Sequence, residues 1–257
     1  MRARNVDAVP ALPDGSPELI FNLADPFQAF AVEGVGQVQP PIMLVGQISA
    51  PFVVGPTGRV DLVAVRLQSY GAALLHPPVS LLTDGWTDQT GLRSPAISDR
   101  LAVLRDALLA TADREARVAL LDEALTELLH EAPGFIADPR VVRAVQAIRA
   151  NHGVIALDAL TRQLHTTTRT LQRLFAAQVG ISPKLLTRIT RFDRVFGGWR
   201  DDPRSLARVA AEGGYFDQSH LVRDFRDFAG AAPAACLVAQ PEFTAFFTSG
   251  SPVVPTR

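Results

Sequence analysis

Residues 167–183, TTRTLQRLFAAQVGISP, and residues 217–233, DQSHLVRDFRDFAGAAP, align without a gap. Leu171 falls on Leu221, Arg173 on Arg223, Phe175 on Phe225, Gly180 on Gly230 and Pro183 on Pro233, five identities in seventeen positions. A segment carried twice restricts the fold more than any compositional figure. Each copy must form the same small unit, and the residues between must hold the two units apart.

The unit is legible from its periodicity. In the first copy Leu157, Leu160 and Leu164 mark a short helix, and His165-Thr166 make a turn. Thr167 is placed to cap a second helix. Along it Leu171, Leu174, Phe175 and Val179 share one face, which leaves Thr168, Arg169, Gln172, Arg173 and Ala176 on the other. Gly180 closes the helix. Two helices joined by a short turn, the second with a polar outer face, make a helix-turn-helix. The second copy repeats the plan. Ser205 is expected to cap a helix with Leu206, Val209 and Ala210, and Gly213-Gly214 make the turn. Asp217 then caps a helix that buries Leu221, Phe225 and Phe228. From Leu157 to Thr167 is ten steps, and from Leu206 to Asp217 eleven, so the copies differ by one residue in the turn. Between them a spacer helix is expected to begin at Ser182-Pro183 and to end at Gly197-Gly198.

These residue types suit duplex DNA. A recognition helix enters the major groove by its N-terminus, so its first exposed side chains meet base edges. Arg pairs bidentately with guanine and Gln with adenine. Thr167 and the free amides behind it suit a phosphate. Arg188, Arg191 and Arg194 on the spacer helix are candidates for further backbone contacts. Helical arginines are ordinarily solvated surface residues; their place inside a duplicated helix-turn-helix favours the groove. Charge agrees. Residues 1–138 hold 9 Arg against 17 Asp and Glu, a balance of −8, whereas residues 139–240 hold 14 Arg and one Lys against 8 acidic residues, a balance of +7. A basic half joined to an acidic half fits a chain of which only one half meets a polyanion.

The stretches ALDALTRQLHTTTRTLQRLFAAQVGISP and SLARVAAEGGYFDQSHLVRDFRDFAGAAP resemble the DNA-binding domain of the AraC/XylS family of bacterial transcription regulators. The most specific part runs through Gly214-Tyr215, Asp217, Ser219-His220, Arg223-Asp224-Phe225, Gly230 and Pro233, and the resemblance covers about 100 of the 257 residues. It implies two helix-turn-helix units on one linker helix, inserted into successive major grooves. The base-reading positions it implies are Thr168, Arg169, Gln172 and Arg173 in the first unit. In the second they are Gln218, Ser219, His220 and Arg223. Thr167, Arg188 and Arg191 are the backbone candidates. Two departures stand out. Ala234-Ala235-Cys236 replace the arginine or tyrosine often found after the last proline, and Asp224 and Asp227 make the second helix less basic. The alternative they motivate is a ligand- or protein-binding module whose helix-turn-helix binds DNA weakly or not at all.

The first half reads differently. PELIFNL (17–23), PPIMLVGQIS (40–49), PFVVG (51–55) and GRVDLVAVRL (58–67) are short, β-branched and bounded by Pro or Gly, which predicts a small sheet or barrel. GAALLHPPVSLL (71–82) allows one helical turn before Pro77-Pro78. From Ser98 the period becomes helical: Leu101, Leu104, Leu108 and Leu109, then Val118, Leu121, Leu125, Leu128 and Leu129. These predict a helical hairpin joined near Thr111–Arg114, whose Leu-rich faces either pack on their own domain or form a homodimer seam. HEAPGFIADP (130–139) is a linker candidate, and Asp138-Pro139 the cap and first residue of a helix bearing Val141, Val142, Val145 and Ile148. PDGSPELIFNL and GRVDLVAVRLQSYGAALL resemble the cupin-like N-terminal domains of actinobacterial AraC-type regulators, which implies effector sensing there.

The expected fold is therefore α+β: a sensing and dimerisation domain at 1–135, a double helix-turn-helix domain at 136–240, and a tail at 241–257. The resemblance implies double-stranded promoter DNA and a small-molecule effector of unknown identity as partners, with RNA polymerase a further partner to be tested. No apolar run approaches the roughly 20 residues that span a bilayer, and no apolar h-region follows the N-terminal arginines. One cysteine, Cys236, permits no internal disulfide, so a reducing cytoplasm is expected. No cofactor or metal is expected: the first 129 residues hold one histidine, His76, and no cysteine. That argues against a metal-dependent cupin enzyme and against a zinc- and thiol-based repair regulator. No Ser/His/Asp arrangement or phosphate-cradling glycine loop stands out, so no enzymatic activity is expected.

Overall fold

The computed structural model of the chain describes residues 9–30, 36–131, 137–201, 206–233 and 235–236. The expected 135/136 boundary, the Ser205 cap, half of the 130–139 linker and the 241–257 tail lie outside the described residues.

Among the described residues eight strands form two antiparallel four-stranded sheets. They are β1 (Val9–Ala11), β2 (Glu18–Asn22), β3 (Phe27–Phe30), β4 (Gln37–Val38), β5 (Ile42–Val45), β6 (Phe52–Pro56), β7 (Leu62–Arg66) and β8 (Trp86–Asp88). One sheet has the order β1-β6-β3-β4 and the other β7-β2-β5-β8. The four apolar runs read from the sequence supply β2, β5, β6 and β7. The remaining strands are two to four residues long, too short to show a period. In β2, Leu19 and Phe21 are fully buried and pair with Leu44 and Ile42 of β5. All four residues of β5 are buried, so both faces of this strand are covered, and alternation sends Met43 and Val45 opposite to Ile42 and Leu44.

Nine helices follow from Gly71 onward among the described residues. The turn α1 (Ala72–Leu75) ends at His76, whose backbone N–H caps it to Ala72 O, and a 3-10 turn follows at Val79–Leu82. The hairpin is α2 (Pro95–Ala110) and α3 (Arg114–Glu131). Ser94 caps α2 through Ile97 N, with Pro95 at the first position, so the helix opens three residues before the expected Ser98. Helix α3 also runs through His130, which the expected linker had claimed. Leu101, Leu104, Leu108 and Leu128 join Leu19, Phe21, Ile42 and Leu44 in one core, while Val103, Leu109, Val118 and Leu129 are exposed. Arg117 fixes α3 to the sheet with two hydrogen bonds to the Asp61 carboxylate, at 2.8 and 3.0 Å.

The remaining helices are α4 (Pro139–Ala150), α5 (Leu157–Gln163), α6 (Thr168–Gln178), α7 (Pro183–Asp201), α8 (Leu206–Glu212) and α9 (Gln218–Ala229). Asp138 caps α4 as expected. Helix α7 does not end at Gly197-Gly198 but continues to Asp201. Glycine in a helix interior costs about 1 kcal/mol against alanine but keeps its N–H, so it weakens a helix without stopping it. Val141, Val145, Ile148, Leu171, Phe175, Ile189, Phe192, Leu221 and Phe225 form a second core, and Tyr70 from the β-rich half packs against it.

The two halves meet through polar contacts as well. Arg149, in the last turn of α4, donates from Nη2 to Gly15 O (2.9 Å), Ser16 Oγ (3.1 Å) and Ser69 Oγ (3.0 Å). Gln47 and Ser69 also donate to Gly15 O. Gly15 adopts φ +78°, and a Cβ there would come within 2.7 Å of Leu186 on α7. Only glycine combines that conformation with that approach.

Candidate nucleic-acid interface

The two units superpose in their chemistry. Thr167 caps α6 by accepting from Thr170 N at 3.2 Å, and Asp217 caps α9 by accepting from His220 N at 2.7 Å. Leu171 and Leu221, and Phe175 and Phe225, are each fully buried. Gly180 and Gly230 take φ +91° and +72°, the left-handed geometry that ends a helix. Pro183 and Pro233 are buried. All five repeated residues but the arginines thus serve the fold of the unit. Arg173 and Arg223 are exposed at equivalent turns of α6 and α9.

The outer faces of α6 and α9 carry the residues that the spacing placed on them. Arg169, Gln172 and Arg173 are exposed on α6, and Thr168 is half-buried. On α9, Gln218, Ser219 and Arg223 are exposed. His220 is half-buried and sets its ring edge-on to Tyr215, with centroids 5.2 Å apart. Thr167 is exposed at the mouth of the first unit. A cap side chain and unpaired amides at each helix start, followed within two turns by Arg and Gln, can bind phosphate and pair with base edges.

The spacer arginines point elsewhere. Arg188 Nη2 lies 2.7 Å from Asp224 Oδ1 and 2.5 Å from Asp227 Oδ2, and its Nε is 3.0 Å from Asp224 Oδ1. Its guanidinium therefore binds two carboxylates of α9. Asp224 is fully buried and stands where the first unit has Leu174. Both aspartates that lower the charge of α9 are thus spent on the spacer. Arg191 lies over the Tyr215 ring, 4.9 Å from its centroid, and donates to Gly214 O at 3.3 Å. It too is turned toward the second unit. Arg194 is exposed. Burial, and then the Asp224 carboxylate, push the Tyr215 phenol above its ordinary range, so Tyr215 is a neutral packing group.

Contacts that the sequence does not signal link this interface to the β-rich half. Thr83 Oγ1 donates to Gly180 O at 2.8 Å, and a Cβ on Gly180 would stand 3.2 Å from Val79 O. At the equivalent corner of the second unit, a Cβ on Gly230 would stand 3.3 Å from Pro51. The β-rich half therefore reaches the same corner of both units. Nearby, Asp193 of α7 has a carboxyl raised to about 6, first by burial and then by the Asp14 carboxylate, against the pull of Arg66 and Arg149. Burial also raises Asp14 and Glu18, although Arg66 lies 3.2 Å from the first and 3.4 Å from the second.

Among the described residues no group of three or more His, Cys, Asp and Glu side chains is placed to hold a metal ion, and no helix is long and apolar enough to cross a membrane. Cys236 is half-buried against the C-terminal core.

Comparisons with known proteins agree with this geometry. Residues 160–237 match a helix-turn-helix domain family, and residues 3–88 match a domain of unknown function (DUF6597). No curated protein sequence matches the chain significantly. An apo variant of ToxT from Vibrio cholerae strain SCE256 has a similar fold, with a TM-score of 0.50 at 9% identity over 91% of this chain and 94% of that one. ToxT of the same species in a second crystal structure gives 0.48 at 11% identity, over 92% and 95%. Its unsaturated-fatty-acid-bound form gives 0.46 at 12%, over 99% and 100%. With a two-sheet N-terminal half and two equivalent capped helices on one spacer, the chain pairs a β-rich half with a C-terminal segment, residues 160–237, that matches a helix-turn-helix domain family.

Proposed function

We propose that this chain is a transcription regulator of the AraC/XylS family that binds duplex DNA through both helix-turn-helix units, in successive major grooves, under the control of a small molecule held by the N-terminal half. The observation that carries the reading is the equivalence of α6 and α9: the same buried residues, and a different exposed set on each. Thr168, Arg169, Gln172 and Arg173 read bases in one groove; Gln218, Ser219, His220 and Arg223 do so in the next. Thr167 binds backbone. Residues 1–135 form the sensing and dimerisation domain, 136–240 the DNA-binding domain and 241–257 a tail. The exposed Val118 and Leu129 favour a homodimer through the hairpin. The protein works in the cytoplasm, is not an enzyme and needs no cofactor; RNA polymerase is a partner for activation. Control follows from the two equivalent corners, because a ligand that shifts the β-rich half shifts both units at once.

The test is the affinity of the full-length protein for duplex DNA across a salt series. Counterion release predicts that log K falls with log salt by about 0.9 per phosphate neutralised. Absence of duplex binding at low salt, or binding with no salt slope, overturns the reading. A compound that raises the melting temperature of the protein but leaves its DNA binding unchanged refutes the coupling.

A second reading concerns the second unit alone. Helix α9 carries two carboxylates, Asp224 and Asp227, where α6 carries none, and Arg188 is paired with both. On that reading α9 supplies little affinity, and Arg223→Ala changes binding far less than Arg173→Ala.

A further inference from the structure

Two aromatic residues stand side by side before α9 and face opposite ways. Tyr215 is buried between the Arg191 guanidinium and the His220 ring. Phe216 is 94% exposed. Its position directly precedes the Asp217 cap, where an apolar residue ordinarily folds back on the fourth residue of the helix as a staple. That residue is Leu221, and it is fully buried without Phe216. The fold of the unit therefore makes no use of the Phe216 ring. A single exposed apolar residue is ordinary on a protein surface. Its place is what distinguishes this one: Gln218 and Ser219, both exposed, open the reading helix two and three residues further on. The equivalent residue of the first unit is Thr166, which is half-buried.

We infer that Phe216 is a specificity-determining residue of the second unit, its ring packing on the 5-methyl group of a thymine beside the bases that Gln218 and Ser219 face. A recognition helix enters the groove N-terminus first, so a side chain just before the cap stands at the groove mouth. The thymine methyl is the one apolar group on the major-groove edge, and an aromatic ring is a fitting partner for it. The contact gives α9 discrimination without cationic charge.

The inference rests on the DNA-binding reading, and the experiment separates the two. Full-length wild-type protein and Phe216→Ala are each used to select sites from a random duplex pool. The wild-type site is then remade with deoxyuridine replacing each thymidine in turn, which removes only the methyl. The expected result is a thymine preference in the wild-type site that Phe216→Ala loses. Removing that methyl weakens wild type about fourfold, the worth of one buried methyl group, and leaves Phe216→Ala unaffected. The melting temperature and salt slope of the variant match wild type, because the ring is exposed and uncharged. Identical selected sites, or an equal response of both proteins to deoxyuridine, overturns the inference and leaves the regulator reading standing. Wild-type protein that selects no site and shows no salt slope overturns both.

Discussion

Arg188 shows how much one side chain can decide. Its two partners, Asp224 and Asp227, sit on another helix, and Asp224 is fully buried. Removing the guanidinium strands a carboxylate in the core, so Arg188→Ala should lower stability by about 3–5 kcal/mol, read by chemical denaturation. The first unit suggests the rescue, since Leu174 fills the same position there. The double variant Arg188→Met with Asp224→Leu should recover most of the loss, because well-packed apolar residues commonly replace a buried ion pair without penalty. If the single variant is as stable as wild type, the pair is not what holds α9 to α7. The exposed arginines behave oppositely. Arg169→Ala or Arg173→Ala should leave folding unchanged, cost roughly 1–3 kcal/mol in binding and relax preference at one base pair. A loss uniform over all sequences, measured on a panel of single-base variants of the site, would mark a phosphate contact instead.

At the scale of elements, α6 and α9 are specified chiefly by their ends. Thr167→Ala and Asp217→Ala each remove the side-chain acceptor for an amide of the first turn and should cost about 1 kcal/mol of stability. Differential scanning calorimetry of both variants checks this; no change in either would mean that packing alone holds the helix starts. The elements also show what could be read in advance. Helices α4 to α9 were legible because Leu, Phe and Val recur at helical spacing between cap residues and glycines, and the repeat confirmed each unit against the other. The strand β3 was not, since Phe27–Phe30 is four residues with no flanking pattern of its own. The end of α7 was misplaced because Gly197-Gly198 is as compatible with a helix interior as with a stop. The inward turn of Arg188 and Arg191 was invisible for a plainer reason: an arginine at helical spacing has the same sequence signature whether it meets a phosphate or an aspartate. The contacts of Arg149, Thr83 and Pro51 across the halves join positions 80 or more residues apart and leave no local trace.

Across the whole molecule, the junction of the halves carries a titratable strain. Asp193 holds its proton to about pH 6 in the folded protein, against 3.8 for a free aspartate. Between those values the native state binds more protons than the unfolded one, so this group's contribution to stability is full below pH 3.8 and is lost as pH rises through 6. Asp193→Asn should therefore melt higher than wild type at pH 7. Its advantage should vanish near pH 4, as followed by thermal denaturation over that range. A constant difference between the two proteins at every pH would exclude Asp193 as the source. A ribosome releases α7 before α9, so Arg188 emerges as an ordinary solvated cation and Asp224 finds its counter-ion waiting. A nascent chain stopped before α9 holds Arg188 without the buried Asp224 carboxylate that needs it. A second unit expressed alone, or moved ahead of the spacer by circular permutation, would have to close its core over a bare carboxylate. The duplicated units are alike in shape, but the second closes its core on a carboxylate whose counter-ion lies on the spacer, and the chain order supplies that counter-ion first.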